Sequence, residues 1–476
     1  MELYLRDSSR RGAALPGGFD GAAGGAPCGD LVRLSVALER GRVAGVSFDA
    51  EGCATVNAAA AVVAELADGT PALDVAGIGP DEVAAALGGI GPQGRHAAEL
   101  AADALHRALA AAAGSETVLA APPANGERVL VALSGGVDSA VAALRERERG
   151  AEVIAVTLKL WADRRTDATR SCCSPLAVLG ARELAHSLGI AHFTLDLEAD
   201  FRARVVDGFV VGYRAGRTPN PCVICNGELR IDAMLALVDR LGCSALATGH
   251  YARLVDDGEG PLLTAAVDPA KDQTYMLSGL RPASLARLRF PLAELTKPEV
   301  RALAAEAGLP VAAKAESQDL CFLAGEGKRG FLARHGGLSE RPGAIVDRRG
   351  RRLGEHRGHH EFTVGQRRGI GLGGPEPLYV LATDARTNEV VVGTREELAR
   401  RRVRVREATL HRPGGRVDRV RLRYHAKPLA CELPGVPAGR HDALELELAE
   451  PAHGVAPGQT ACLMSGDVVV GRATIA

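Results

Sequence analysis

The stretch "RVLVALSGGVDSAVAALRERERG", residues 128 to 150, decides the fold. Val129 to Leu133 form an apolar run of strand length, and a Ser-Gly-Gly turn ends it abruptly. The residues after the turn read as a helix with an acid in its first turn. Such a turn exposes backbone N–H groups at a helix N-terminus, where phosphate binds well. Ala132, Leu133, Ser134, Gly135, Gly136, Val137, Asp138 and Ser139 are therefore the candidate phosphate contacts. The serines add hydroxyls, and Asp138 is placed to hold Mg2+. The lysine of a Walker A loop is missing, which excludes an ordinary P-loop kinase or GTPase.

Outward from this loop the pattern repeats. "EVIAVTL" reads as a strand, "SPLAVLGARELAHSLG" as a helix and "AHFTLDL" as a strand. Alternating buried strands and helices predict an α/β domain with a parallel sheet. "GSETVLAAPPANGE" before it reads as a linker, and residues 1 to about 115 end in a long helical pattern. Beyond about 330 the chain turns Gly- and Arg-rich with short strands. From 402 onward polar and apolar residues alternate between turns, as in a small antiparallel β-barrel. The expected division is 1–115, a linker at 116–127, 128–330 as the nucleotide-binding catalytic domain, 331–401 as a mostly-β central domain, and 402–476 as the barrel.

With 46% apolar and 24% charged residues, and a net charge of −1, the composition is that of a soluble globular protein. Nucleic-acid contacts then have to come from local basic patches. No long apolar run and no signal-like N-terminus are seen, so a cytoplasmic protein without membrane contact is expected. The ten cysteines are then expected to be reduced unless they bind metal or react. Cys172, Cys173, Cys243, Cys431 and Cys462 read as ordinary thiols. Cys222 and Cys225 in "GRTPNPCVICNGELR" do not, because their spacing suits a metal site, a redox pair or a sulfur carrier. Zinc ranks low, since no second such pair supplies the remaining ligands.

The loop "ALSGGVDSA" resembles the SGGxDS loop of the ATP pyrophosphatase (PP-loop) superfamily. Together with "PNPCVICN", "ATGHYAR", "KDQTYML", "SQDLCFL", "FTVGQRRGIGLG" and "PGQTACL" in that order, it resembles the bacterial tRNA 2-thiouridylases of the MnmA type. The resemblance spans about residues 128 to 476. It implies adenylation of O2 of the wobble uridine of a tRNA, followed by replacement of that oxygen by sulfur. By resemblance Cys321 carries a persulfide and Cys225 is its nucleophilic partner, the two forming a disulfide as sulfur leaves. Leu158 and Gly249 match ATP-contacting positions. Asn220, Pro221 and Cys222 match the segment meeting the target base. His250, Lys271, Asp272, Gln273, Arg423, Tyr424 and Gln459 match tRNA contacts. The implied partners are tRNA and a sulfur donor, either a cysteine desulfurase or a sulfur-relay protein.

Cys222 stands where many relatives have Asp. With Cys225 and Cys321 it offers three thiolates, enough for an iron–sulfur cluster, so cluster and persulfide chemistry both stay open. "RVDRVRLRYHAKP" is expected to put Arg419, Arg421 and Arg423 on one strand face, opposite Val420, Leu422 and Tyr424. Such a stripe tracks phosphates or is merely solvated, and "RRRVRVR" at 400 to 406 is open to the same two readings.

Residues 1 to about 110 resemble the IscU/NifU-type iron–sulfur scaffold through "APCGDLVRLSVAL" and "VSFDAEGCATVNAAAAVVAELADG". Cys28, Asp30 and Cys53 fall on its ligand positions. The third cysteine is replaced by Ala97, after His96. A metal site, a docking or sulfur-accepting role, and a structural appendage all remain readings of this domain. Two rival functions are an iron–sulfur carrier with a regulatory nucleotide domain and a PP-loop ligase that amidates a small molecule. The basic barrel and the distant Cys225/Cys321 pair favour the thiouridylase.

Overall fold

The computed structural model describes the chain except residues 1–3, 5–8, 26–28, 90, 162, 164–173, 316–319, 324 and 374–375. Cys28, Cys172 and Cys173 thus lie outside the described residues.

The N-terminal sheet is an antiparallel meander of β1 (Phe19–Gly24), β2 (Leu31–Glu39) and β3 (Arg42–Glu51). Arg40 and Gly41, at φ 50° and 77°, form the two-residue turn between β2 and β3, whose right-handed twist needs left-handed residues. Helices Ala54–Ala67 and Pro92–Ala113 pack on one face. The second presses so closely on β1 that a Cβ at Gly21 would sit 2.1 Å from the Ala104 carbonyl oxygen.

β4 (Arg128–Ala132), β5 (Glu152–Lys159), β6 (Ala191–Asp196), β7 (Ala245–Thr248) and a short β10 (Leu288–Arg289) form the parallel sheet. Between β7 and β10 the hairpin of β8 (Arg253–Asp256) and β9 (Pro261–Thr264) leaves this sheet for the barrel. The order β10-β7-β4-β5-β6 reverses at β4, so the crevice for a ligand lies beyond the carboxyl ends of β4 and β7. The helices follow the apolar periodicity. Val137–Glu148 starts at the Gly136 cap, and Pro175–Ser187 is capped by Ser174, whose hydroxyl accepts from the Ala177 amide at 3.1 Å.

A four-stranded sheet follows, with β11 (Gly343–Val346), β12 (Arg352–His356), β13 (Tyr379–Asp384) and β14 (Glu389–Gly393) around Ile345, Phe362, Val380 and Val392. Strands β15 (Ala399–Leu410), β16 (Arg419–Arg421), β17 (Leu429–Glu432), β18 (Gly439–His453), β19 (Thr460–Ser465) and β20 (Val468–Ile475) close into a six-stranded barrel through β15–β20 pairing. Among the described residues no helix is long and apolar enough to cross a membrane.

The stretch that reads as a linker is docked rather than loose. Leu119 is buried, its amide donates to the Arg240 carbonyl at 2.8 Å, and Arg128 donates to the Ala121 carbonyl at 2.7 Å. The N-terminal domain in turn covers edge strand β6. The His192 amide donates to the Ala76 carbonyl at 3.1 Å, and Arg182 pairs with Asp103 at 2.9 Å. His106, His186 and His192 collect at this joint. Burial and the Arg182 charge hold His106 and His192 well below the usual imidazole range, and burial also lowers His186.

The unfolded chain takes up protons on these imidazoles near pH 6.5 while the folded one does not. Their contribution to stability is complete above that pH and falls as the pH drops below it. His250 and His411, also lowered by burial, add to the same slope. Calorimetry should therefore show a lower unfolding temperature at pH 5.5 than at pH 7.5, with a smaller drop in His192→Gln. An equal drop in that variant would remove His192 from the account.

Candidate functional site

β4 delivers the loop Leu133–Gly136 to the crevice. Gly135 adopts φ +68°, the left-handed turn that lets the backbone double back before the helix. The Ser139 hydroxyl donates to the Gly136 carbonyl at 3.0 Å and accepts from the Ser134 amide at 3.1 Å, so the loop is preformed. Thr157 on β5 donates its hydroxyl to the Leu133 carbonyl at 2.7 Å. That proton being used, the His192 Nε2–H must donate to Thr157 Oγ1, at 2.8 Å. Leu158 beside it is buried at the end of β5.

Asp138, second in the loop helix, accepts from the Tyr251 hydroxyl at 2.8 Å and from Lys297 Nζ at 2.6 Å. Lys297 opens helix Lys297–Glu306, whose capping box joins Thr296 and Glu299. From the same region Lys314 Nζ donates to the Gly135 carbonyl at 2.8 Å. Gly249 follows β7, and a Cβ there would lie 2.8 Å from the backbone of Asp138 and Ser139. Only a glycine admits so close an approach.

His250 comes next. It is half-buried, its Nδ1 lies 2.9 Å from Thr248 Oγ1, and burial plus the nearby Arg230 charge push it down to about 3. The same Arg230 charge acts on Cys222, whose thiol is raised by burial in spite of it. The nucleotide loop, His250 and the cysteine-bearing helix are therefore neighbours. That helix, Pro221–Cys225, is capped by Asn220, whose Oδ1 accepts from the Val223 amide at 3.4 Å. Cys225 is buried within the hydrophobic cluster that holds Phe322 and Phe331, and half-buried Cys321 packs against the same cluster. Among the described residues one set of three or more potential ligands falls within 4.8 Å of one another, Asp163, Glu326 and His335. The sulfurs of Cys222, Cys225 and Cys321 are not gathered in that way, and neither are Asp30, Cys53 and His96. Asp30 does meet Cys53, accepting from its amide at 3.2 Å, while His96 lies exposed on its helix.

The residues expected to meet tRNA sit largely in joints between domains. Gln459 donates to the Thr218 carbonyl at 2.8 Å and so ties the barrel to the segment before Asn220. Gln273 accepts from the Tyr251 amide at 2.9 Å, next to Lys271, whose amide donates to the Asp268 carbonyl. Asp272 is buried and pairs with Arg421 at 2.9 Å. Arg423 donates to the Val364 and Gly454 carbonyls, both at 2.6 Å. The expected arginine face is therefore corrected. The strand ends at Arg421, the chain turns at His425 (φ 58°), and two of the three arginines are consumed inside the protein. Val420 and Leu422 do point into the core. The run at 400 to 406 lies opposite acids, with Arg404 3.5 Å from Glu445. Tyr424 is half-buried, its ring tilted 43° against His425 with 3.8 Å between centroids, and burial, with Asp272 and Cys222 nearby, raises its phenol.

Lys297, Lys314, Tyr251, Thr157 and Arg230 were missed by sequence reasoning. Each acts across a gap in sequence; Tyr251 and Arg230 lie inside quoted motifs, but nothing local marks what they touch.

Fold and site define a class: a HUP-type nucleotide-binding sheet with a pyrophosphatase-type loop, joined to a β-barrel and an iron–sulfur-scaffold-like domain. Residues 127–325 match the tRNA methyl transferase HUP domain, 329–394 its PRC-barrel domain, 401–475 the aminomethyltransferase β-barrel domain, and 9–117 the NifU-like N terminal domain. The bifunctional protein NifU/MnmA of Rubrobacter xylanophilus is 46% identical, over 96% of this chain and 93% of its own length. The tRNA-specific 2-thiouridylase MnmA of Acidithiobacillus ferrooxidans is 44% identical over 72% of this chain and 97% of its own. That of Chloroflexus aggregans is also 44% identical, over 73% and 98%. The chain belongs to the MnmA family of tRNA-specific 2-thiouridylases, in the form fused to a NifU-like domain.

Gly249→Ala should push the β7 turn off the loop helix, at a strain of about 1–3 kcal/mol. The expected result is ATP affinity reduced at least about tenfold, with an unchanged circular dichroism spectrum. Unaltered ATP affinity would mean that the close approach does not shape the nucleotide site.

Proposed function

We propose that this protein is an ATP-dependent tRNA 2-thiouridylase acting on the wobble uridine. The observation that carries the reading is the contiguity of the phosphate loop, His250, Arg230 and Cys222 at the carboxyl ends of β4 and β7.

The chemistry runs in two stages. Uridine O2 attacks the α-phosphorus of ATP on the loop of Ser134, Gly135, Gly136 and Ser139, and pyrophosphate leaves. Mg2+ held by Asp138 and the phosphates would supply charge neutralisation for that leaving group. The terminal sulfur of a Cys321 persulfide then adds to C2, and AMP departs carrying the original oxygen. Attack of the Cys225 thiolate on the inner sulfur of Cys321 frees the 2-thiouridine and leaves a Cys225–Cys321 disulfide, which a thiol reductant reopens. Neutral His250 serves as a hydrogen-bonding group for the base, and Tyr424 as a stacking surface beside Cys222. Because the three thiols do not converge, no step is routed through an iron–sulfur cluster.

Sulfur reaches Cys321 from a cysteine desulfurase or relay protein, and the N-terminal domain takes part through Cys28, Asp30 and Cys53. If so, Cys53→Ala slows thiolation while leaving pyrophosphate release intact; an undiminished thiolation rate would reduce this domain to a structural one.

The central test separates the two stages. Cys321→Ser and Cys225→Ser should retain tRNA-dependent pyrophosphate release yet lose 2-thiouridine formation, read by mass spectrometry of digested tRNA. Full thiolation by Cys321→Ser with a persulfide donor would overturn the assignment. Absence of any tRNA-dependent pyrophosphate release in the unaltered protein would overturn the reading as a whole.

A further inference from the structure

The phosphate loop presents amides and hydroxyls but no cation of its own. Asp138 adds a negative charge, and Lys297 answers it at 2.6 Å. Lys297 is almost fully buried, with its ammonium on this carboxylate. ATP brings a polyphosphate whose charge grows on the leaving pyrophosphate during adenylyl transfer. Beyond what Mg2+ would bring, the loop's own residues supply no positive charge to meet it.

Lys314 meets the need. Its ammonium rests 2.8 Å from the Gly135 carbonyl, directly on the loop, and its side chain is exposed. Among the described residues that carbonyl is its hydrogen-bond partner, a neutral acceptor far weaker than a phosphate oxygen. The placement is also built. Arg301, one turn along helix Lys297–Glu306, donates to the Ala312 carbonyl at 3.0 Å and the Lys314 carbonyl at 3.3 Å. One helix thus seats both lysines against the loop. Lys297 stands at the helix's first position, where the macrodipole disfavours a cation, so local helix energetics do not explain it.

We propose that Lys314 is the phosphate-binding cation of this site, exchanging the Gly135 carbonyl for the β- and γ-phosphates of ATP and stabilising departing pyrophosphate. Arg301 is a positioning residue that holds the Lys314 backbone in reach. The inference rests on the use of ATP by this loop.

The test compares ATP, pyrophosphate and AMP binding by calorimetry in the full-length protein and in Lys314→Met, Lys314→Arg and Arg301→Met. Lys314→Met should weaken ATP and pyrophosphate about ten- to a hundredfold, leaving AMP within about twofold. Lys314→Arg should recover most of the loss. Arg301→Met should reproduce the same phosphate-selective pattern more weakly. Turnover in pyrophosphate release should fall in parallel. Equal weakening of AMP and ATP would make Lys314 a structural support of the loop, and no weakening would remove it from the site; either overturns the proposal. Failure of the unaltered protein to bind any of the three would instead sink the underlying assignment of ATP use, and the proposal with it.

Discussion

One carboxylate organises the centre of this molecule. Asp138 lies at the start of the loop helix and is gripped by Tyr251 from the turn after β7 and by Lys297 from a later helix. A partly buried ion pair contributes little net stability, but removing one partner strands the other charge, so its geometry is strongly specified. The grip then propagates. Tyr251 is hooked through its backbone to Gln273, and the adjacent Asp272 pairs with Arg421 of the barrel. A continuous set of polar contacts therefore runs from the nucleotide loop to a domain well over a hundred residues downstream.

The barrel closes the other side of the site by the same means. Gln459 binds the carbonyls of the turn before Asn220, and Tyr275 donates to the Thr460 carbonyl at 2.9 Å while touching the Asn220 amide. Arg423 is clamped between Val364 and Gly454, where burial lowers its pKa. These side chains give up solvent and rotamer freedom to fix where Asn220, Pro221 and Cys222 stand. Under the function proposed above, a base held against two thiols needs that rigidity more than it needs surface charge.

The legible and illegible parts divide on physical grounds. The parallel sheet and the phosphate loop follow from contiguous residues, because strand burial, turn glycines and helix starts are written locally. The barrel strands are legible for the same reason, down to Val420 and Leu422 facing inward. Alternation, however, tells only that Arg421 and Arg423 leave the core on the other side, not what waits there. Asp272 waits for one and two carbonyls for the other. Lys297 and Lys314 lie 159 and 179 residues from their partners in the loop helix and loop, beyond any local pattern. The linker misleads by composition, since its prolines and alanines look loose while Leu119 anchors it.

The attachment of the N-terminal domain follows from charge as well as shape. Strand β6 is a sheet edge with unpaired backbone groups, an exposure that proteins cover or blunt. Ala76 takes the His192 amide there, and Asp103 neutralises Arg182, which is itself nearly buried. Without Asp103 that guanidinium would stand beside three imidazoles without its ion-pair partner among the described residues. Without Arg182, Asp103 would keep, among the described residues, the more exposed Arg107. His192 also donates to Thr157, whose hydroxyl holds the Leu133 carbonyl at the mouth of the phosphate loop. The edge that the appended domain covers is thus two hydrogen bonds from the nucleotide site. That is closer packing than a tethered passenger would require, and it joins the scaffold-like domain to the nucleotide-binding sheet as one polar-linked body.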